Sequence, residues 1–218
     1  MSRQPVVSVV TGLPRPVWRG RLHAWAFWVA VPAAVGLVLG ADRGRVAVAI
    51  YGSSLAAVYG VSAAYHRLAR TARAQHVMRR LDHSMIFLLI AGTYTPMCLV
   101  ALPRSQWLPL LGVVWGLTVV GVVAKVSGPR SMLRASNVLY VVIGWLTILA
   151  LPTFIRTVSP AALALMIAGG VLYSVGAVTF YLRRPDPNPV VFGYHEVWHA
   201  YTVLAGGCHF VMVALVVS

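Results

Sequence analysis

Seven long apolar runs, each near the roughly 20 residues that an α-helix needs to cross a bilayer, leave this chain few folds to choose from. They lie at 22–40, 46–66, 82–102, 107–125, 135–155, 160–182 and 195–217. Hydrocarbon offers no partner to a backbone N–H or C=O, so a spanning segment must satisfy its own groups, as a helix does. Turn-forming or charged clusters separate the runs: Ala41-Asp42-Arg43-Gly44-Arg45, Pro103-Arg104-Ser105-Gln106 and Ser127-Gly128-Pro129-Arg130. The clearest linker is 183–194, with Pro185, Pro187 and Pro189. The expected fold is all-α, a seven-transmembrane-helix bundle over 22–218 behind a basic N-terminal tail over 1–21. Composition agrees, since 59% of the 218 residues are hydrophobic and 10% are charged, against about 25% charged in soluble domains. Cys98 and Cys208 both fall inside apolar runs, which argues against a disulfide framework or a cysteine-rich metal site.

A formal net charge of +14 raises the question of nucleic acid. The arginines gather in short segments between apolar runs, however, so no nucleic-acid partner is expected. Their asymmetry orients the bundle instead. With the N-terminus in the cytoplasm, that side holds Arg3, Arg15, Arg19 and Arg21, then Arg67, Arg70, Arg73, Arg79 and Arg80. Lys125, Arg130, Arg134, Arg183 and Arg184 join them, and only Arg43, Arg45, Arg104 and Arg156 fall outside. The expected topology is N-terminus cytoplasmic and C-terminus outside.

That topology sorts the histidines by depth. The second run ends toward the cytoplasm at Ser62-Ala63-Ala64-Tyr65-His66, the third opens there at Leu81-Asp82-His83, and the seventh opens with His195-Glu196-Val197-Trp198-His199. Separate segments thus bring His66, Asp82, His195 and His199 to one level. Taken singly, each has a plain role: His66 as a cation at a helix C-terminus, Asp82 as an N-cap, Ser62 as a small packing residue. Together, ionisable groups at that depth need partners, and Zn²⁺ with nitrogen ligands supplies one. The expected ligands are His66, His195 and His199, with a water in the fourth position. Asp82 would hold that water or take its proton, and Ser62 would support the site by hydrogen bonding.

The remaining histidines fit this centre less well. His209 lies ten residues past His199, about 15 Å deeper along a helix, and a buried hydrogen bond is its expected role. His83, His76 in the basic loop, and His23 at the head of the first run are read as interfacial. Trp18, Trp25 and Trp107 fit an aromatic belt. The pentapeptide at 195–199 also matches H-E-x-x-H, in which the glutamate serves a zinc protease as general base. Such a protease needs a third ligand, from Asp186 or Asp82, and leaves His66 idle. The match is read instead as an H-x-x-x-H pair with an incidental Glu196.

Ser62-x-x-x-His66, Asp82 and His195-x-x-x-His199, in that order across seven spans, resemble the progestin and adipoQ receptor superfamily, and in particular its bacterial haemolysin III-like branch. Tyr65-His66-Arg67, Asp82-His83-Ser84-Met85-Ile86-Phe87, Ala91-Gly92-Thr93-Tyr94-Thr95-Pro96 and His209 carry the likeness to that branch, which extends from about residue 20 to 217. The resemblance implies a seven-helix bundle with a cytoplasmic N-terminus, set in a bacterial plasma membrane. It also implies zinc held by His66, His195 and His199 near the cytoplasmic leaflet, with a water toward Asp82. Members near the adiponectin receptors are associated with ceramidase activity, and bacterial members with haemolysis or membrane lipid homeostasis. The long cytoplasmic N-terminal region of the animal receptors is missing, so a hormone-receptor role is not implied. Glu196 is not part of the family pattern.

The expected function is a zinc-dependent intramembrane hydrolase of lipid amides or esters, with membrane lipids as substrate or ligand and Asp82 as base. The alternative is a non-enzymatic sensor of membrane or lipid state with structural zinc. A cytolytic pore and an intramembrane H-E-x-x-H protease stand behind these two, the pore because polar residues are sparse above the cytoplasmic level.

Overall fold

A computed structural model describes Gly12, residues 15–128 and residues 130–218, the last without the side chains of 130–135. Arg3, Pro129 and the side chains of Arg130 and Arg134, which entered the topology argument, lie outside the described residues.

The apolar runs fold as helices because a helix alone satisfies a lipid-facing backbone. In chain order they are α1 (Arg21–Gly40), α2 (Arg45–Leu68), α3 (Ala72–Ala101) and α4 (Arg104–Ser127), then α5 (Arg130–Trp145), α6 (Leu151–Thr157), α7 (Pro160–Leu182) and α8 (Tyr194–Val217). Among the described residues seven segments are long and apolar enough to span a membrane, the fifth being Ser136–Thr157. Short connections make sequential helices antiparallel neighbours. The ring closes where α8 packs on α1 and α3, and the backbone N–H of Asp42, in the α1–α2 turn, donates to Val217 O at the end of α8. The faces that meet lipid carry large apolar side chains such as Trp25, Trp28 and Leu149, about three-quarters exposed.

Two boundaries differ from the sequence expectation, each for a local reason. The third span begins ten residues early, because the Thr71 side chain caps α3 by accepting the Ala74 N–H. Asp82 is therefore not an N-cap but sits nearly three turns inside α3. His76, expected in a loop, is an exposed helical residue whose ring nitrogen bonds Ala72 O. The fifth span is broken, with a 3₁₀ turn at Leu146–Ala150 between α5 and α6. Pro152 in the first turn of α6 has no N–H to give back to the preceding turn. The Tyr94 hydroxyl of α3 answers the disturbed ladder, lying 2.9 and 3.0 Å from the carbonyls of Ile143 and Gly144. A broken helix at membrane depth persists where a neighbour re-satisfies its backbone in this way.

Beside the break lies a cavity of about 200 Å³ between α3, α5, α7 and α8. Its walls are mostly apolar, aliphatic and aromatic together, with Ile86, Leu89, Ile90 and Met97 from α3, and Trp198 and Met212 from α8. Val141, Trp145, Ile148 and Ile167 line it and are also exposed, so the cavity opens sideways, toward lipid.

Candidate metal centre

His66 lies in the last turn of α2, and His195 and His199 sit one turn apart at the start of α8. Residues at i and i+4 stack on one helix face, so α8 presents both imidazoles toward the end of α2. The three offer ring nitrogens that all lie within 4.8 Å of one another, with His66 Nε2 and His195 Nε2 3.2 Å apart. Nitrogens bound about 2.0–2.1 Å from a tetrahedral zinc stand about 3.3 Å apart. The donor set and its spacing therefore fit such an ion. His66 and His199 are buried and His195 is half-buried. Among the described residues no carboxylate or thiol joins the group.

Asp82 stands outside the triad. Its carboxyl neighbours the hydroxyl of Ser62, which lies one turn before His66 and is itself buried. The expected residues thus fall into two groups, the three imidazoles and the Ser62–Asp82 pair, joined through α2. Tyr140 lies within electrostatic range of Asp82 and lines the cavity, as does Ile86, one turn on from Asp82. Trp198, adjacent in sequence to His199, is part of the same wall. The apolar space is thus walled in part by sequence neighbours of Asp82 and His199, while Asp82, Ser62 and the three imidazoles do not line it.

Residues 15–20 run against the end of α2 and the start of α8. The Val17 and Trp18 N–H groups donate to Val190 O and Val191 O, both at 3.1 Å. The Trp18 ring meets Phe192 edge-on at 6.3 Å. Arg15 donates to Tyr65 O at 3.1 Å and His66 O at 2.7 Å. These are carbonyls that the end of α2 leaves without a helical partner. Gly20, with φ of 76°, lies so close to the Cβ of His66 that no side chain fits between them.

Glu196 is not incidental. It is fully buried, one oxygen accepts from Arg19 Nε, and the other accepts the Gly193 N–H at 2.9 Å. Both oxygens thus tie residue 19 to the start of α8. Asp186 is engaged too, accepting the Tyr194 N–H at 2.8 Å.

His23, expected at the interface, is instead buried and stacked on His199. The signal was hidden because α1 and α8 are neighbours only in the closed ring. His209, expected to be buried, is half-buried and lines the cavity, with Nε2 3.4 Å from Met166 O. His83 lies within range of Lys125 and Arg79.

A profile for the family described as haemolysin-III related matches residues 11–210. The chain belongs to that family. This haemolysin III-related protein is 33% identical over 189 residues to Hemolysin-3 of Bacillus cereus, covering 84% of this chain and 83% of that one. It is equally identical to the Hemolysin-3 homolog of Bacillus subtilis (strain 168), with 84% and 85% covered. The family and the bundle together make it an integral, multi-pass membrane protein of the haemolysin III branch of the progestin and adipoQ receptor superfamily.

Proposed function

We propose that this chain is a zinc-dependent intramembrane hydrolase that cleaves a lipid amide or ester, of the kind a ceramidase cleaves. One observation carries the reading: three imidazoles converge with no carboxylate among them, while Asp82 pairs with Ser62, one turn before His66. His66, His195 and His199 would hold the ion, which when bound supplies a Lewis acid toward a carbonyl and toward water. Asp82 takes the proton that water loses as its oxygen bonds to the carbonyl carbon, then returns it to the departing amine or alcohol. Ser62 holds that carboxylate in place. The apolar cavity takes an acyl chain, which enters sideways past Val141, Trp145, Ile148 and Ile167. Its lining suits a lipid tail better than an ion path, which weighs against a pore. The arginine distribution supports a cytoplasmic N-terminus in a bacterial plasma membrane, with the centre near the inner leaflet.

Zinc content of detergent-purified protein tests the first step. Zinc is expected in the wild type and is lost in His66→Ala and His199→Ala. Equal, negligible zinc in all three removes the ion from the scheme. Incubation with ceramides and phospholipids then tests turnover by released fatty acid, with Asp82→Asn expected to keep zinc and lose release while Glu196→Gln keeps both. Loss of release in Glu196→Gln alone overturns the choice of base. Zinc retained without release of fatty acid assigns the ion a structural role in a lipid-state sensor.

A further inference from the structure

His23 is a buried imidazole beside the triad that the proposed reaction leaves without a task. It is 4% exposed, and its ring lies flat on that of His199, with centroids 3.8 Å apart and planes 7° from parallel. Its own orientation is set from α8. Thr202 Oγ1 lies 2.8 Å from His199 O and 2.9 Å from His23 Nε2; with the hydroxyl proton given to the carbonyl, which can only accept, the ring donates to Oγ1. Nε2 therefore carries the proton, and Nδ1, buried, has no hydrogen-bond partner among the described residues. Tyr59 backs the arrangement, its ring 5.2 Å from that of His23 and its hydroxyl 3.4 Å from Thr202 O. Turning the His199 ring out of its present plane would drive its edge into the His23 face.

Imidazoles that bind metals are held in plane by a second contact, usually a hydrogen bond, and loss of that contact costs about 10–100-fold in metal affinity. We propose that His23 is a positioning residue that performs this task by stacking, holding His199 in its ligating plane, with Thr202 as the pin that fixes His23. The inference rests on the zinc reading above. A flat, polarisable ring facing an imidazole that a cation has drawn positive also adds attraction of the cation–π kind.

Cobalt(II) serves as the probe, because its visible bands report ligand geometry and its affinity can be measured by chelator competition without any substrate. Relative to wild type, His23→Ala is expected to bind about 10-fold more weakly or worse, with altered bands. His23→Phe, which restores a flat ring, is expected to recover most of the affinity. Thr202→Val, which keeps the His23 ring and removes its pin, is expected, like His23→Phe, to fall between wild type and His23→Ala, and decides the matter if His23→Ala does not fold. In the metal-free wild type, histidine NMR is expected to show His23 protonated at Nε2. Wild-type affinity and bands in both His23→Ala and Thr202→Val, or a proton on Nδ1, overturn the positioning role while leaving the zinc reading intact. Absence of cobalt binding by the wild type overturns both, and appears before any variant is compared.

Discussion

The Arg19–Glu196 pair offers a direct measure of how the segment before α1 is held onto the histidine centre. Glu196 is fully buried, whereas the Arg19 side chain is 17% exposed. In Arg19→Ala, Glu196 keeps the Gly193 N–H but loses its only charged partner among the described residues. Removing one member of a buried pair costs about 3–5 kcal/mol, because an uncompensated charge remains. Water can follow the vacated arginine, so the lower end, about 3 kcal/mol, is expected. Glu196→Gln is milder. The arginine left behind already meets solvent, and the amide oxygen can still accept one bond, so about 1–2 kcal/mol is expected, the scale of a hydrogen bond to a charged group. Groups in direct contact do not add, so the double variant should fall short of the sum of the singles by about 1–2 kcal/mol. Reversible unfolding in mixed micelles, followed by helical circular dichroism for the four proteins, gives each term. A single Arg19→Ala cost below about 0.5 kcal/mol, with strict additivity in the double variant, would refute the claim that this pair anchors the segment.

Three further outcomes follow from particular contacts. Gly20→Ala places a methyl against His66 Cβ in a left-handed conformation, and is expected to lower stability by at least the 1–2 kcal/mol of that conformation and to reduce zinc content, read by melting and metal analysis. Tyr94→Phe leaves the carbonyls of Ile143 and Gly144 without its hydroxyl, for an expected loss of about 1–3 kcal/mol; hydrogen exchange should rise in residues 143–150 before it rises in α8. Gly170 lines the cavity, and a Cβ there meets nothing within 4 Å. Gly170→Leu should therefore cut fatty-acid release while leaving zinc content unchanged, whereas equal loss of both would argue that the cavity is structural.

Much of the architecture was legible because the bilayer imposes a one-dimensional rule. Length and apolarity suffice to mark a spanning helix, and His66, His195 and His199 could be brought to one level by counting spans. The rule fails where side chains rather than lipid decide. Thr71 extends α3 to Ala72, so Asp82 became a mid-helix residue, and Pro152 with Tyr94 breaks the fifth span without shortening it. Nothing in the run lengths records either event.

The sequence by itself determined the seven spans, the family and the three-imidazole set, since each depends on spacing along the chain or on order across it. The tertiary structure alone decided what surrounds that set. Glu196 changed from a spare carboxylate to a buried anchor because Arg19, 177 residues away in sequence, meets it. His23 moved from the interface to the face of His199 because α8 closes the ring on α1. Helix periodicity fixes which residues share a face, but which helix that face meets is settled by close packing of the whole bundle.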